Sequence, residues 1–180
     1  MKIYRLHFNS SDSIDFPTNN PVRFRFYFEN PPTLSKEATL AIEYFSIIES
    51  ALTNNVEAPP VAYSSDNISA IQIRCPSLRD PYSFESKSGG ARVGQPSNIL
   101  ETLPKSLNNA TSWLQFSRGA TNLADRGMHI PNPQFLRDGN VELEITDNNG
   151  YRILVADADA NDGTEWWQIG LTVYDPCACK

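Results

Sequence analysis

From Val22 to Phe28 the residues Val22, Phe24, Phe26 and Phe28 fall on one side of an extended chain, and Arg23, Arg25 and Tyr27 fall on the other. That is the period-two pattern of a strand with one buried face, since a helix would scatter the phenylalanines around its circumference. The run from Trp167 to Tyr174 repeats it, with Trp167, Ile169, Leu171 and Val173 opposite Gln168, Gly170 and Thr172. Further alternating runs cover Ile3 to Phe8, Thr39 to Ile48, Ile68 to Cys75, Val141 to Ile145 and Tyr151 to Val155. Turn clusters such as Phe16-Pro17-Thr18-Asn19-Asn20-Pro21, Asn30-Pro31-Pro32 and Ala58-Pro59-Pro60 separate them. One hairpin is expected where Thr146-Asp147-Asn148-Asn149-Gly150 joins Val141–Ile145 to Tyr151–Val155, because Asn-Gly suits the positive backbone angles of a tight turn. Short turns of helix are expected at Ser97–Leu103 and Ala110–Phe116. Seven or more short strands with 13 prolines and little helix predict an all-β fold, an antiparallel β-sandwich or barrel.

Length narrows this to one body. With 180 residues the chain is long enough to bury a core without disulfides. A single domain over 1–175 and a short Cys-containing tail over 176–180 are expected. Met1-Lys2-Ile3-Tyr4-Arg5-Leu6-His7-Phe8 reads as a strand and not as a signal peptide, because no apolar run of about 7–15 residues follows the charge. Nothing approaches about 18 uninterrupted apolar residues, so no membrane insertion is expected. Folding in a reducing cytoplasm is expected, and three cysteines, an odd number, fit it better than a secreted disulfide framework. The triplets Asn9-Ser10-Ser11 and Asn67-Ile68-Ser69 are then chance matches to the glycosylation pattern.

Charge changes the picture twice. The net charge is -6 and only 5 lysines are present, which argues against general nucleic-acid binding, an activity that needs cations to neutralise phosphates. The distribution is uneven: Arg74 to Arg137 holds eight basic against four acidic residues, and Asp138 to Asp175 holds nine acidic residues against Arg152 alone. Two solvated surfaces of opposite sign explain this; the sharper reading docks the basic segment, with Arg79, Arg92 and Arg118, on an acidic neighbour.

Candidate chemistry is sparse. No Gly-x-Ser-x-Gly elbow is present, and His7 and His129 are the only imidazoles available as a base, each in a context that suits a structural histidine. Neither an enzyme nor a cofactor is expected. Ser88-Gly89-Gly90-Ala91-Arg92-Val93-Gly94 reads as a flexible loop and not as a phosphate cradle, because no helix follows. Asp157-Ala158-Asp159-Ala160-Asn161-Asp162-Gly163 spaces oxygen ligands as calcium prefers. It departs from the EF-hand pattern, since Asp162 intervenes before the glycine and Gln168 holds the twelfth place, so a solvated loop is the favoured reading over calcium on Asp157, Asp159, Asn161 and Asp162. Cys177 and Cys179 sit too close for a relaxed mutual disulfide. Reduced thiols on a frayed end, an intermolecular disulfide, or soft ligands shared with Cys75 remain as readings, the last without the usual Cys-x-x-Cys spacing. Trp166 points opposite to Trp167 on a strand, either as an interface anchor or beneath a loop.

Two stretches carry a resemblance. Ile71-Gln72-Ile73-Arg74-Cys75-Pro76-Ser77-Leu78, followed by Phe84-Glu85-Ser86-Lys87 and Asn98-Ile99-Leu100, resembles a strand-loop-strand segment of minor capsid proteins from large icosahedral DNA viruses of the phycodnavirus type. Phe135-Leu136-Arg137-Asp138-Gly139-Asn140-Val141-Glu142-Leu143-Glu144-Ile145-Thr146-Asp147-Asn148-Asn149-Gly150 resembles their late strand and polar turn, leading to a closing strand through Tyr174. The likeness spans 39–175 loosely and rests on packing patterns. It implies a single jelly roll of about eight strands with long loops. It also implies a virion protein that cements or scaffolds the lattice, partnered by the major capsid protein, other minor capsid proteins or further copies of itself. No catalytic residue is transferred. In that role the loops Ser77–Pro96 and Asn108–Pro133 would meet neighbours. A rival reading is a carbohydrate-binding sandwich using Trp166 or Trp113 as a platform, with calcium at Asp157 and Asp159; a cupin-type enzyme would need more histidines.

Overall fold

The computed structural model describes residues 1–9, 12, 22–78, 80–85, 95–105, 113–117, 127–155 and 167–177. In chain order the strands are β1 (Lys2–Asn9), β2 (Val22–Arg25), β3 (Thr39–Ile48), β4 (Leu52–Asn55), β5 (Ala70–Arg74), β6 (Asp80–Glu85), β7 (Gln95–Ser97), β8 (Ile99–Pro104), β9 (Trp113–Ser117), β10 (Met128–His129), β11 (Asn140–Asp147), β12 (Ile153–Val155) and β13 (Trp167–Asp175). One turn of helix, α1 (Phe135–Asp138), precedes β11, and a 3-10 turn at Glu49–Ala51 follows β3.

The pairing pattern is that of a long hairpin rolled into two sheets. Counting β9 and β10 as one position, because both pair with β3, the eight main strands are β1, β2, β3, β5, β8, β9/β10, β11 and β13. The first pairs with the last, β1 with β13; the second with the seventh, β2 with β11; the third with the sixth; and the fourth with the fifth, β5 with β8. All these pairs are antiparallel. Rolling adds β13 beside β3 and β11 beside β5. Sheet one thus runs β1-β13-β3 and then β9/β10, and sheet two runs β2-β11-β5-β8. This is the strand order of a jelly roll.

Alternation decides which side of each strand meets the core. Sheet one contributes Leu6, Phe8, Leu40, Ile42, Phe45, Ile47, Trp167, Ile169, Leu171 and Val173; sheet two contributes Phe24, Ile71, Ile73, Leu103, Val141, Leu143 and Ile145, all buried. Trp167, 1% exposed, ties the layers together: its ring meets Phe24 of sheet two edge-on at 5.5 Å and Phe45 of sheet one at 6.0 Å. Phe24 in turn stacks on Phe8 at 4.5 Å. In β3 the buried positions slip from Leu40 and Ile42 to Phe45 and Ile47. The register against β13 shifts at the same place, where Gly170 faces Tyr44 and Leu171 faces Ile42. One extra residue on β3 thus restores the inward direction of Phe45, as a bulge does.

Three local expectations are corrected. Over their described residues, the segments expected as helical turns, Ser97–Leu103 and Ala110–Phe116, are extended: they form the end of β7 with β8, and β9. Helix propensities of a few tenths of a kcal/mol per residue yield to the ladders these segments complete on β5 and β3. The expected hairpin begins but does not continue. Its turn is closed by Asp147 N–H to Tyr151 O at 2.8 Å and Gly150 N–H to Asp147 O at 3.0 Å, with Gly150 at φ 84°. After the bridge between Thr146 and Arg152, however, β12 pairs with β4 and not with β11. The arm departs because Ile153 becomes fully buried opposite Asn55, while Val56 N–H donates to Arg152 O at 2.9 Å. The Val22–Phe28 run also ends its ladder at Arg25, although Phe26 and Phe28 still pack on the core.

Candidate interaction surface

Most of the singled-out residues, Arg79, Arg92, Arg118, Asp157, Asp159, Asn161, Asp162, Trp166 and Cys179, lie outside the described residues, as does the Trp113 side chain. Cys177 is described. It is exposed just beyond β13, and its Sγ donates to Glu37 Oε2 at 3.2 Å. That hydrogen bond, followed by a small desolvation and the Glu37 charge, holds the thiol above its usual pKa and disfavours the thiolate. The base of the tail is anchored by Asp175, fully buried, whose two carboxylate oxygens accept Ser35 N–H and Cys177 N–H, each at 3.2 Å. Cys75 is buried beside Ser77 Oγ at 3.3 Å, and burial pushes its thiol up. Among the described residues no three His, Cys, Asp or Glu side chains gather where they would hold a metal ion.

Buried polar pairs fix one end of the sandwich. Asp147 ends β11 with no exposure; its Oδ1 accepts Asn149 N–H at 2.8 Å and Tyr151 N–H at 2.9 Å, and its Oδ2 accepts Asn55 Nδ2–H at 2.8 Å. Asn55 Oδ1 then accepts Val61 N–H at 2.8 Å, so one carboxylate and one amide order both the β4–β5 connection and the β11–β12 turn. Nearby, Tyr63 donates to buried Glu49 Oε1 at 2.8 Å. Burial, reinforced by Glu49, pushes the Tyr63 phenol far above its ordinary range. Asp147, Asn55 and Tyr63 find protein partners here and act as connectors, while the second carboxylate oxygen of Glu49 is buried without a hydrogen bond.

The outer faces of the two sheets differ in chemistry. On sheet two, Arg23 pairs with Glu142 at 3.3 Å and Arg152 with Glu144 at 3.6 Å. Arg74, nearly buried, donates from Nε to Thr146 Oγ1 at 3.0 Å and from its terminal nitrogens to Gln72 Oε1 at 2.6 Å and Asn98 Oδ1 at 2.9 Å. On sheet one, β1, β13, β3 and β9 bring two neighbouring cross-strand rows outward: Asn9, Gln168, Ser46 and Gln115, then His7, Gly170, Tyr44 and Ser117. The Tyr44 ring lies across Gly170, where a Cβ would collide with Tyr44 Cε1. It runs nearly parallel to the His7 ring, 5.8 Å between centroids. A shallow cleft of about 330 Å³ opens there among Tyr44, Ser46, Gln115, Phe116, Ser117 and Gln168. One row further, Arg5 meets Glu43 at 3.3 Å and Thr172 donates to the same carboxylate at 3.0 Å. Sequence reasoning sought function in charged and aromatic loops and passed over these uncharged strand positions. Their signal was present as polar alternation without Asp, Glu, Lys or Arg.

A second cleft, about 480 Å³, lies between the β5–β6 connection and α1, lined by Ser77, Leu78, Pro131, Asn132, Phe135 and Asp138 among others. Among the described residues no helix is long and apolar enough to cross a membrane. No protein-family model matches the sequence, and no curated protein matches it significantly. The fold is similar to that in the crystal structure of the mavirus penton protein, with a TM-score of 0.51 and 10% identity, covering 97% of this chain and 100% of that one. What the two chains share at that identity is the jelly-roll fold along their whole lengths.

Proposed function

We propose that this chain is a structural capsid subunit that works by adhesion, a minor capsid protein cementing or scaffolding the major capsid lattice within a virion. The observation that carries the reading is the fold similarity to a penton protein, which covers 97% of this chain and 100% of that one. The similarity supports a capsid jelly roll in general and bears no more closely on the phycodnavirus type. A rigid two-layer body with long connections suits adhesion, because the sandwich holds its shape while loops order on neighbours. In this reading the basic loops with Arg79, Arg92 and Arg118, together with Trp166, contact the major capsid protein and other minor capsid proteins. Cys177 or Cys179 forms a disulfide with a thiol of a neighbouring chain by exchange with a small-molecule disulfide, which is reduced to two thiols and takes up both thiol protons. The hydrogen bond to Glu37 disfavours the Cys177 thiolate and so slows that exchange.

Gradient-purified virus particles test the proposal. The expected result is that this chain sediments with the major capsid protein in a constant molar ratio across the particle peak. Its absence from particles would overturn the reading. The rival module built on Trp166, Trp113 and calcium at Asp157 and Asp159 rests on side chains outside those described.

A further inference from the structure

The uncharged block on sheet one is chemically specific. Its eight positions hold two glutamines, an asparagine, two serines, a histidine, a tyrosine and a glycine, while the chain as a whole is 20% charged and the outer face of sheet two is crossed by ion pairs. Gln115, Ser46 and Gln168 stand side by side on three adjacent strands. A primary amide presents two donors and an acceptor in one plane, and a hydroxyl presents both kinds, so this row suits a ligand that carries many hydroxyls and no charge. Beside it the half-buried Tyr44 ring offers an apolar plane at the cleft, a position it can hold only because Gly170 has no side chain.

Other ligand classes fit poorly. A nucleic acid or an acidic ligand needs cations, and among the described residues lining the cleft there are none. An acyl chain or an apolar peptide needs continuous apolar walls, whereas Tyr44, Phe45 and Phe116 share the lining with two glutamines and two serines. The volume, about 330 Å³, lies at the small end for ligand sites.

We propose that this face binds a neutral oligosaccharide, with Gln115, Ser46 and Gln168 hydrogen-bonding ring hydroxyls and Tyr44 packing against the C–H face of one sugar. The proposal uses neither Trp166 nor Trp113 and does not depend on the capsid reading.

The test begins with the purified full chain on an array of neutral and anionic glycans, followed by calorimetric titration of the best neutral glycan. Binding is expected to survive high salt, because no ion pair is involved. The double variant Gln115→Ala, Gln168→Ala should weaken it at least about tenfold with an unchanged melting temperature. Amide shifts on titration should centre on Ser46 and Gln168, a readout that needs no variant. Failure to bind any neutral glycan, binding of anionic glycans only, or full retention in the double variant would overturn the proposal. So would a concentration-dependent dimer that the double variant turns into a monomer, since the face would then be an interface between copies.

Discussion

The two sheets bury similar faces and expose dissimilar ones. Inside, both present aliphatic and aromatic side chains in alternation, interrupted in β3 by the bulge between Ile42 and Phe45. Outside, sheet two is laced by Arg23–Glu142 and Arg152–Glu144 and organised around Arg74, whereas sheet one has, beside its Arg5–Glu43 pair, a block of neutral amides, hydroxyls and the Tyr44–His7 pair over Gly170. Charged lattices resist desolvation, because an ion removed from water must recover its hydration from its partners. A neutral polar face is easier to cover. The proposed ligand is therefore expected on the neutral block of sheet one and not on sheet two.

The largest effect should come from breaking what the two faces share. Trp167→Ala removes the ring that joins Phe24 to Phe45, and a loss of about 3–5 kcal/mol is expected in chemical denaturation, with both sheets unfolding in one transition. Two separate transitions would show that the layers do not depend on a common core. Next, Arg74→Ala leaves Thr146, Gln72 and Asn98 without their shared donor; a loss of about 1.5–3 kcal/mol is expected, confined to sheet two by amide exchange.

The matching change on sheet one is Gly170→Val. Its Cβ would enter the space of Tyr44, costing about 1–3 kcal/mol, and adding Tyr44→Ala should recover most of the loss. Additive losses in that double-mutant cycle would mean that Gly170 is required for some other reason. At the small end, replacing Arg23 or Glu142 by Ala should change stability by less than about 1 kcal/mol, and less again at high salt, because both groups are partly solvated. A larger, salt-independent loss would contradict the solvated character assigned to sheet two. Finally, Glu37→Gln should lower the Cys177 pKa toward its ordinary value and speed alkylation at mildly alkaline pH, since the thiolate is the reactive form. An unchanged alkylation rate would release Cys177 from Glu37.

Period two made the core legible residue by residue: Phe24 in β2 and the Trp167-Ile169-Leu171-Val173 face of β13 lie where alternation puts them. The antiparallel sandwich followed from the number of such runs. Partner choice did not, because it depends on contacts far apart in sequence: β12 reads as the return arm of a hairpin, yet it takes β4 once Asn55 and Asp147 have joined those loops. The Leu- and Glu-bearing segment 99–103 reads equally as helix or strand until β5 offers it an edge. The slip between Ile42 and Phe45 looks like broken alternation and is a bulge. The neutral face was the least legible feature. Each of its residues is ordinary alone, and the meaning of Gly170 lies in Tyr44, which stands on another strand.

The central claim is that this jelly roll is a capsid subunit, and a cryo-electron-microscopy reconstruction of particles carrying it tests that most directly. The account predicts density for a two-layer body with strand order β1-β13-β3-β9/β10 over β2-β11-β5-β8, in contact with capsid neighbours at every equivalent position. A complete particle whose every density is filled by other proteins would contradict it.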